Sequence, residues 1–219
     1  MWQSVTSGLT ISDLFDSFDF FTDTRSDELI LQDFDHLYPT AMGFFENWKT
    51  QNFKKVLNKA RCYRDDYAKL LMEVIDLNDR MEDKYTLTLT LIPYLMAPNG
   101  RKNRNGKTAN KNDIQMNFIS VYKQIEDFGN SDDDYVLNLL VEDGKVSYST
   151  YNLHETTFKY DDPIEAFTTL FAKIMVLNLK FPKLCDHVWQ FVQQGLFGIP
   201  VGKPEMRHVT QEALRTTNL

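Results

Sequence analysis

The feature that most constrains the fold of this chain is a β-hairpin pattern. Two apolar-rich runs, 135–141 and 146–153, are joined by a four-residue turn at 142–145 that contains Asp-Gly. Asp-Gly favours the positive φ angles of a type I′ turn, whose twist matches that of the strands it joins. In this register the face that carries Asn138 and Ser149 is half polar and is expected to meet water. The pairs predicted on the apolar face are Val141 with Val146, Leu139 with Tyr148, and Leu137 with Thr150.

Helical periodicity dominates the chain before the hairpin. Apolar residues recur every three or four positions within 14–21, 42–56 and 67–77, which predicts three helices in the first 80 residues. Leucine and threonine alternate between 85 and 91, and this period of two predicts a strand. A further helix is expected at 114–125.

A strong helix start follows the hairpin. Asp162 is suited to the N-cap, Pro163 to the first helical position and Glu165 to the third. The next residues are apolar on most of the helix circumference, which predicts a central core helix. Another helix is expected to run from Pro182 to Gly195. The last fifteen residues show weak periodicity and are expected to be mobile.

These elements predict an α+β fold. A helical N-terminal part is followed by a small, mainly antiparallel sheet that packs against C-terminal helices. We expect a helical region with an acidic aromatic segment at 1–80, an α+β core at 81–200 and a C-terminal tail at 201–219. The order of helices, then strands, then helices argues against a doubly wound sheet.

Composition indicates a protein of the cell interior. Cys62 and Cys185 are the only cysteines, too few for a disulfide framework. The start of the chain lacks the basic and apolar regions of a signal peptide, and no stretch is apolar for long enough to span a membrane. We therefore expect a cytoplasmic protein, with the nucleus as another intracellular location, and no membrane contact.

Residues 101–111, the basic loop, reverse the charge of the chain. The formal net charge is -7, but this segment carries five positive charges and no negative one, so the other 208 residues sum to -12. Clustered cations bind phosphates and carboxylates. We predict contacts to phosphate, nucleic acid or an acidic protein surface through Arg101, Lys102, Arg104, Lys107, Thr108 and Lys111. A solvated, mobile loop with no partner is the alternative.

The same loop contains part of a nucleotide-binding signature. Gly106-Lys107-Thr108 matches the end of a P-loop, but one residue too many separates Gly100 from Gly106. Arginine and lysine also fill the loop, and the chain lacks the alternating βα units of that fold. These departures weaken the nucleotide-binding hypothesis.

Residues 12–38, the acidic segment, have the opposite character. They include eight acidic residues and several phenylalanines, with Arg25 as their only lysine or arginine. Acidic-hydrophobic alternation suits a segment that docks its aromatic face into a partner, and packing on the protein's own core is the alternative. The predicted partner-binding residues are Phe15, Phe18, Phe21, Asp16 and Asp19.

Groups suited to catalysis or metal binding are sparse. Residues 185–187 are Cys-Asp-His, but neighbouring residues on a helix point in different directions. Asp33, Asp35 and His36 include possible metal ligands, yet the four histidines show no paired ligand spacing. We therefore predict no catalytic residues, no bound metal and no cofactor.

Together these patterns favour a non-enzymatic binding or assembly protein that uses the basic loop and the acidic segment as contact surfaces. The acidic segment of one copy meeting the basic loop of the next would build rings or filaments. A viral or mobile-element protein is one setting for such a chain. The alternatives are a module that binds nucleic-acid backbone and a nucleotide-binding enzyme with a degenerate P-loop at Lys107 and Thr108.

Overall fold

The structure is a computed structural model that describes residues 25–98, 100–103, 105–124, 135–143, 145–153, 156–202 and 206–219. The first half is helical and comprises α1 (Arg25–Leu37), α2 (Ala41–Asn47), α3 (Phe53–Ala60), α4 (Asp66–Leu77) and α5 (Met81–Leu89). The second half comprises α6 (Lys111–Met116), β1 (Ile119–Tyr122), β2 (Leu137–Glu142), β3 (Lys145–Leu153), β4 (Thr156–Tyr160), α7 (Pro163–Val176), α8 (Asp186–Phe191) and α9 (His208–Thr217). Shorter turns are π-helical at Trp48–Asn52 and Val192–Leu196 and 3-10 at Ile92–Leu95.

The four strands form one mixed sheet in the order β1-β2-β3-β4. β1 is parallel to β2, and the other neighbours are antiparallel. Helix α7 packs against β2, β3 and β4 and also against α1. A mainly antiparallel sheet among helices confirms the predicted α+β fold. A single apolar core includes residues from Ile30 to Leu214, and the division of the chain at residues 80 and 200 stays a prediction.

The predicted hairpin turn is present. Glu142 lies opposite Lys145, and Val141 lies opposite Val146. Asp143 has a φ of +49°, the left-handed conformation that the first central residue of a type I′ turn requires. The glycine that follows it lies outside the described residues. Local chemistry therefore sets the register next to the turn.

Beyond the turn the predicted register is wrong by one residue. A β-bulge immediately after Leu140 shifts the pairing, so Leu139 lies opposite Ser149 and not Tyr148. At this bulge the Ser147 hydroxyl donates a hydrogen bond to the Leu140 carbonyl at 3.3 Å. The remaining observed pairs are Leu140 with Tyr148, Asn138 with Thr150 and Leu137 with Tyr151.

The expectation that one hairpin face meets water is also wrong. Asn138 and Ser149 are both fully buried. The Ser149 hydroxyl donates to the Tyr160 carbonyl at 3.0 Å, and the Asn138 side-chain amide donates to the Val136 carbonyl at 3.4 Å. The Ser149 hydroxyl and the Asn138 amide nitrogen thus have backbone partners, whereas Oδ1 of Asn138 is buried without a hydrogen bond from any described residue.

The strand predicted at 85–91 is wrong, because most of this segment lies in helix α5. Its leucines and threonines are buried alike, so their alternation does not distinguish an inner from an outer face. The hydroxyls of Thr86 and Thr88 donate to carbonyls four residues earlier, at 2.9 and 2.6 Å. These bonds satisfy the hydroxyls within the helix and remove most of the cost of burying them.

The helix predicted at 114–125 is wrong in its second half. Helix α6 ends at Met116, and residues 119–122 form β1, the edge strand beside β2. Four residues are too few to establish a period of two, so the sequence pattern could not separate this strand from the end of a helix.

The end of the chain is helical, which corrects the expectation drawn from its weak periodicity. Helix α9 packs against α3 and α8 and buries Ala213 and Leu214. A Cβ on Gly195 would lie 2.7 Å from the Leu214 side chain, so this glycine allows close packing within the π-helical turn. It does not end the helix as predicted. Gly198, with a φ of +65°, adopts the left-handed conformation instead.

The predicted central helix is confirmed. The Asp162 carboxylate accepts hydrogen bonds from the amides of Ile164 and Glu165, and α7 begins at Pro163. Eleven of the 14 residues of α7 are buried. Its aromatic contacts with the C-terminal region are the stacked pairs Phe167–Trp189, Phe171–Trp189, Phe167–Phe197 and Phe171–Phe197.

Lys173 of α7 places a charge inside the core. Its side chain is 2% exposed, and Nζ lies 2.7 Å from Oδ1 of Asp27 on α1 and 3.3 Å from the centre of the Phe158 ring. The Tyr160 hydroxyl donates to the other Asp27 oxygen at 2.5 Å and lies 2.9 Å from the Tyr151 hydroxyl. Burial lowers the pKa of Lys173 to about 8, although the charge of Asp27 opposes this shift. The ion pair therefore links α1, α7 and β4.

We predict that removing one member of this ion pair costs far more stability than removing both. Asp27→Asn leaves a buried ammonium without a counter-charge and should destabilise the protein by about 3–5 kcal/mol. Asp27→Leu combined with Lys173→Met replaces both charges with apolar groups and should recover most of that loss. Urea unfolding of the two variants measures the difference, and an equal loss in both would contradict the role assigned to the pair.

The same pair predicts a rise in stability in mild alkali. An unfolded lysine keeps its proton up to about pH 10.4, whereas Lys173 in the folded protein loses its proton near pH 8. Between these values the unfolded state binds more protons, so this group adds stability as the pH increases. Urea unfolding at pH 8 and at about pH 10 measures the free energy of unfolding of the wild type and of the double variant. Between these pH values the wild type should gain more stability than the double variant. An equal change in the two proteins would contradict the prediction.

Candidate anion-binding surface

The basic loop is closed by its own backbone. Lys102 and Thr108 form an antiparallel bridge, and the Ala109 amide donates to the Arg101 carbonyl at 2.8 Å. The two ends of the loop are therefore adjacent. Asn110 then caps α6 and exchanges hydrogen bonds with Asp113, which fixes the end of the loop to a helix.

Several backbone amides of the loop donate hydrogen bonds within the loop. Oδ1 of Asn103 accepts hydrogen bonds from the amides of Asn105 and Lys107, each at 3.1 Å, and the Gly106 amide donates to the Asn103 carbonyl at 2.9 Å. A P-loop presents such amides to phosphate oxygens. A 3-10 turn after α5, and not the strand that a P-loop requires, precedes this loop. The amides of Asn105, Gly106 and Lys107 are therefore already bound within the loop, and nucleotide binding through Lys107 and Thr108 stays a prediction.

Arg101 holds the start of the loop to the C-terminal helices. Its Nη2 lies 2.9 Å from Oδ2 of Asp186, the first residue of α8. Arg207, directly before α9, places its own Nη2 2.9 Å from the same oxygen. Arg101 is thus engaged in an internal ion pair, although the sequence predicted it as a contact for an external anion.

These ion pairs keep Asp186 charged. Burial alone would raise the pKa of this carboxyl, but hydrogen bonds from His187 and Arg207 and the charge of Arg101 outweigh that effect. The pKa of Asp186 therefore lies well below its usual range. The carboxylate acts as an anionic anchor between the basic loop, α8 and α9.

Lys111 holds the other end of the loop. Its Nζ donates to the Tyr94 carbonyl at 2.7 Å and lies 4.9 Å from the centre of the Tyr63 ring. Burial lowers the pKa of Lys111. This lysine is bound at the base of the loop, next to the end of α3.

The other predicted contact residues of the loop are more accessible. Lys102, Lys107 and Thr108 are exposed. Within the part of the chain that the structure describes, Lys102 and Lys107 have no carboxylate partner. Arg104 lies outside the described residues. The structure therefore separates the predicted set into anchoring cations and exposed ones.

A second cationic segment was missed by the sequence analysis. Residues 47–64 carry six lysines and arginines and no acidic residue, one cation more than the basic loop. This clustering of positive charge is evident from a charge count along the chain. The sequence prediction for these residues used only their helical periodicity, which depends on their apolar side chains. Helix α3 buries Phe53, Val56, Leu57 and Ala60, so its lysines occupy the opposite side.

One side-chain contact connects these two cationic segments, and α3 also contacts α9. Lys111 meets Tyr63 as described, three residues beyond α3. Lys55 Nζ donates to the Asn218 carbonyl at 3.0 Å, so α3 also meets the end of α9. A hydrogen bond from Arg215 is the main cause of the lowered pKa of Glu212 on α9, and the charge of Lys59 contributes to it. We name seven exposed or half-exposed cations of both segments the basic surface: Lys54, Lys55, Lys59, Arg61, Arg64, Lys102 and Lys107. The loop anchors Arg101 and Lys111, and Lys49, which pairs with Glu46, are not included.

Most of the basic surface lacks an internal counter-charge. Arg61 pairs with Asp76 at 2.6 Å, and Lys55 is bound to a carbonyl. Among the described residues, Lys54, Lys59 and Arg64 have no carboxylate partner within ion-pair distance, as with the two exposed lysines of the loop. Exposed cations that the protein does not neutralise are available to an external anion.

The sequence also predicted a second contact region, within the acidic segment. Phe15, Phe18, Phe21, Asp16 and Asp19 all lie outside the described residues. Their assignment as partner-binding residues therefore stays a prediction.

The Cys-Asp-His segment at 185–187 has a packing role. Cys185 is buried and its thiol donates to the Asn117 carbonyl at 3.2 Å. Asp186 binds the two arginines, and His187 is fully buried. Across the described residues there is no cluster of three or more metal-ligating side chains, and none of the described helices is long and apolar enough to cross a membrane.

Comparisons with known proteins give no relative. No protein-family model matches the chain, and neither the curated proteins nor the solved structures contain a significant match.

We predict that Asp186→Asn loosens the basic loop in a pH-dependent manner. Loss of a carboxylate that binds two guanidinium groups should destabilise the protein by about 1.5–3 kcal/mol at pH 7. Because the pKa of Asp186 is depressed in the folded protein, its contribution is present above the unfolded value of about 3.9 and decreases as the pH falls below it. Urea unfolding at pH 7 and pH 3 should show a larger effect at pH 7.

The control for this variant is Asp161→Asn, which changes an exposed carboxylate. It should alter the free energy of unfolding by less than about 0.5 kcal/mol. An Asp186→Asn protein as stable as this control at pH 7 would show that the carboxylate is not an anchor.

Proposed function

We propose that this protein is a non-enzymatic binding or assembly protein whose basic surface contacts an acidic protein partner. The observation that carries the proposal is the meeting of two cationic segments in one region. Residues 47–64 and the basic loop supply six and five cations, eleven of the 24 in the chain, and neither segment contains an acidic residue. Lys111 and Tyr63 join them.

The charge of the remaining protein supports a localised contact. Without these eleven cations, 13 lysines and arginines face 31 aspartates and glutamates, so the rest of the chain sums to -18. A long polyanion that ran past the basic surface would meet this acidic remainder and be repelled. A short acidic protein segment avoids that repulsion. Binding to nucleic-acid backbone is the alternative that the experiment must separate.

The acidic segment is the second proposed contact. Its aromatic and acidic side chains, Phe15, Phe18, Phe21, Asp16 and Asp19, suit a partner that offers both apolar and cationic groups. We place the protein inside the cell, in the cytoplasm or the nucleus. This placement is supported by two free cysteines, one exposed at Cys62 and one buried at Cys185.

Binding of polyglutamate, of a single-stranded oligonucleotide and of a DNA duplex tests the proposal. The test variant changes Lys54, Lys59, Lys102 and Lys107 to Gln. A matched control changes four exposed lysines elsewhere, Lys123, Lys145, Lys159 and Lys180, to Gln. Since an exposed ion pair contributes about 0.2–1 kcal/mol, we expect the test variant to bind polyglutamate about tenfold more weakly or worse, and the control to bind as wild type does.

Each outcome decides between the alternatives. If oligonucleotides bind more strongly than polyglutamate, and their affinity falls steeply with salt, the nucleic-acid hypothesis is favoured. The proposal of an acidic protein partner is then overturned. An equal loss of polyglutamate affinity in the test and control variants would show that binding depends only on net charge and not on the basic surface. No binding of any polyanion by the wild type would overturn the proposal.

A further inference from the structure

Helix α4 carries apolar residues on two of its sides, and the described core covers only one of them. The covered side is formed by Ala68, Leu71, Met72 and Ile75, which are buried. The other side, which we name the α4 stripe, consists of Tyr67, Leu70, Val74 and Leu77. Leu70 is 57% exposed, and Leu77, at 82%, is the most exposed large apolar residue that the structure describes. A contiguous apolar row, unlike a single exposed residue, marks a contact surface.

The spacing of the α4 stripe matches that of a helix–helix contact. Its residues follow one another at intervals of three, four and three positions, which places them in one row along the helix. The same intervals form the apolar seam between paired helices. Helix α4 has 12 residues and is about 18 Å long. The surface that fits this row is an apolar row of similar length on another helix.

A groove lies beside the α4 stripe, between α4 and the turn that joins β2 to β3. Its volume is about 550 Å³, and it is lined by Val74, Lys123, Val141, Glu142 and Asp143. Val74 belongs to the α4 stripe, so the stripe and the groove are continuous. Glu142 and Asp143 are exposed. The groove therefore offers an arriving segment apolar contacts next to carboxylates.

The start of α5 joins the same region to the hairpin. Oδ2 of the buried Asp83 accepts a hydrogen bond from the Val146 amide at 3.4 Å and lies 3.9 Å from Nε of Arg80. Residues 79–82 are therefore close to the hairpin turn. Arg80 already has a counter-charge within the protein.

Carboxylates predominate around the α4 stripe and the groove. Five of them are exposed and have no cationic side chain within ion-pair distance among the described residues: Glu73, Asp79, Glu82, Glu142 and Asp143. Two exposed lysines are near them, Lys123 in the groove lining and Lys145 opposite Glu142. Five carboxylates against two lysines leave an excess of negative charge. The charge complementary to this border is positive.

Two other carboxylates of α4 are already neutralised. Asp66 lies 2.7 Å from Lys69, and Asp76 lies 2.6 Å from Arg61. Both pairs are exposed and leave the five carboxylates of the border uncompensated.

We propose that the α4 stripe and the adjoining groove are a docking surface for a basic amphipathic helix of a partner protein. Apolar side chains of that helix pack on Leu70, Val74 and Leu77. Its lysines or arginines face Glu73, Glu142 and Asp143. Recognition of a helix in a groove uses apolar anchors at such intervals. This surface takes a partner of the opposite charge to the one proposed for the basic surface, so the inference is independent of the proposed function.

Charge disfavours a second copy of α4 as the occupant. Two α4 helices related by a two-fold axis would present the same surface to each other. Glu73 lies near the middle of the α4 stripe, so the axis would bring the Glu73 side chains of the two copies together. Like charges opposed in this way weaken a contact.

Two synthetic peptides test the proposal with the full chain. The first has three heptads with leucine at the first and fourth positions and lysine and alanine at the others. The second has the same composition, but its leucines are placed so that they do not share one helical face. Fluorescence anisotropy should show that the first peptide binds at least about tenfold more tightly. Equal affinities would mean attraction by charge alone and would overturn the proposal.

Paired variants locate the apolar contact. Leu70→Asn combined with Leu77→Asn should weaken binding of the first peptide about tenfold or more, because it removes two apolar anchors. Leu29→Asn combined with Leu37→Asn changes two leucines of α1 that are 50% and 55% exposed and should leave the affinity unchanged. The same affinity in both double variants would remove the α4 stripe from the contact.

The charged border has a matched pair of its own. Glu73→Gln combined with Glu142→Gln should weaken binding of the first peptide at least about threefold. Asp35→Asn combined with Asp161→Asn changes two exposed carboxylates elsewhere and should have no effect. A third peptide, with glutamate in place of every lysine, should not bind. Tight binding of this acidic peptide would overturn the basic partner.

The remaining outcomes identify other occupants of the α4 stripe. If light scattering shows that the wild type self-associates and that the Leu70 and Leu77 double variant does not, a second copy is the occupant. If the first peptide binds only after Phe15, Phe18 and Phe21 are changed to Ser, the chain's own acidic segment is the occupant. Either result overturns the proposal. Polyglutamate binding should be the same in the Glu73 and Glu142 double variant as in the wild type, and its loss in the wild type would overturn only the proposed function.

Discussion

Helix α7 is almost entirely buried, so the charge of its Lys173 must be balanced inside the protein. Asp27 on α1 supplies the counter-charge at 2.7 Å, and the Tyr160 hydroxyl binds the second oxygen of that carboxylate. A buried charge without a partner costs several kcal/mol, whereas apolar packing alone tolerates small shifts. The ion pair thus restricts how α1 and β4 can sit against α7. The sheet and the C-terminal helices are then arranged around this fixed centre.

The same rule of charge compensation explains why the basic loop contains two kinds of cation. Arg101 and Lys111 lie at its ends, where partial burial requires partners, and they bind Asp186 and the Tyr94 carbonyl. Lys102 and Lys107 lie between them, remain hydrated and need no internal partner. Anchoring residues hold the loop in place, and the exposed residues determine the charge that it presents. Neutralising an anchor should therefore affect stability first, while neutralising an exposed lysine should affect binding first.

The proposed assembly depends on the separation of opposite charges within one chain. A protein with a net charge of -7 repels its own copies at long range. In the proposed contact, the concentrated basic surface reverses that repulsion locally for an acidic partner. Exposed ionic contacts alone accept many acidic partners. Salt should weaken such an assembly because most of its charges are exposed.

The candidate site was only partly predictable from the sequence. The five cations of the basic loop are evident from their spacing. The participation of α3 depends on which of its sides is buried, and the contact between Tyr63 and Lys111 joins residues 48 positions apart. Whether a given arginine is exposed or paired, as with Arg101 and Asp186, depends on residues distant in the chain, so no local pattern could show it.

The sequence by itself determined the elements whose cause is local. The hairpin turn depends on the backbone preference of Asp-Gly, and the start of α7 depends on Asp162 and Pro163, whose effects act within three or four residues. Tertiary structure decided the rest. Helix α5 replaces an expected strand because packing surrounds its leucines and threonines equally, and its hydroxyls bind back to the helix. The bulge after Leu140, the strand β1 and the joining of two cationic segments likewise follow from contacts between distant residues, because burial is a property of the whole fold and not of a short stretch of chain.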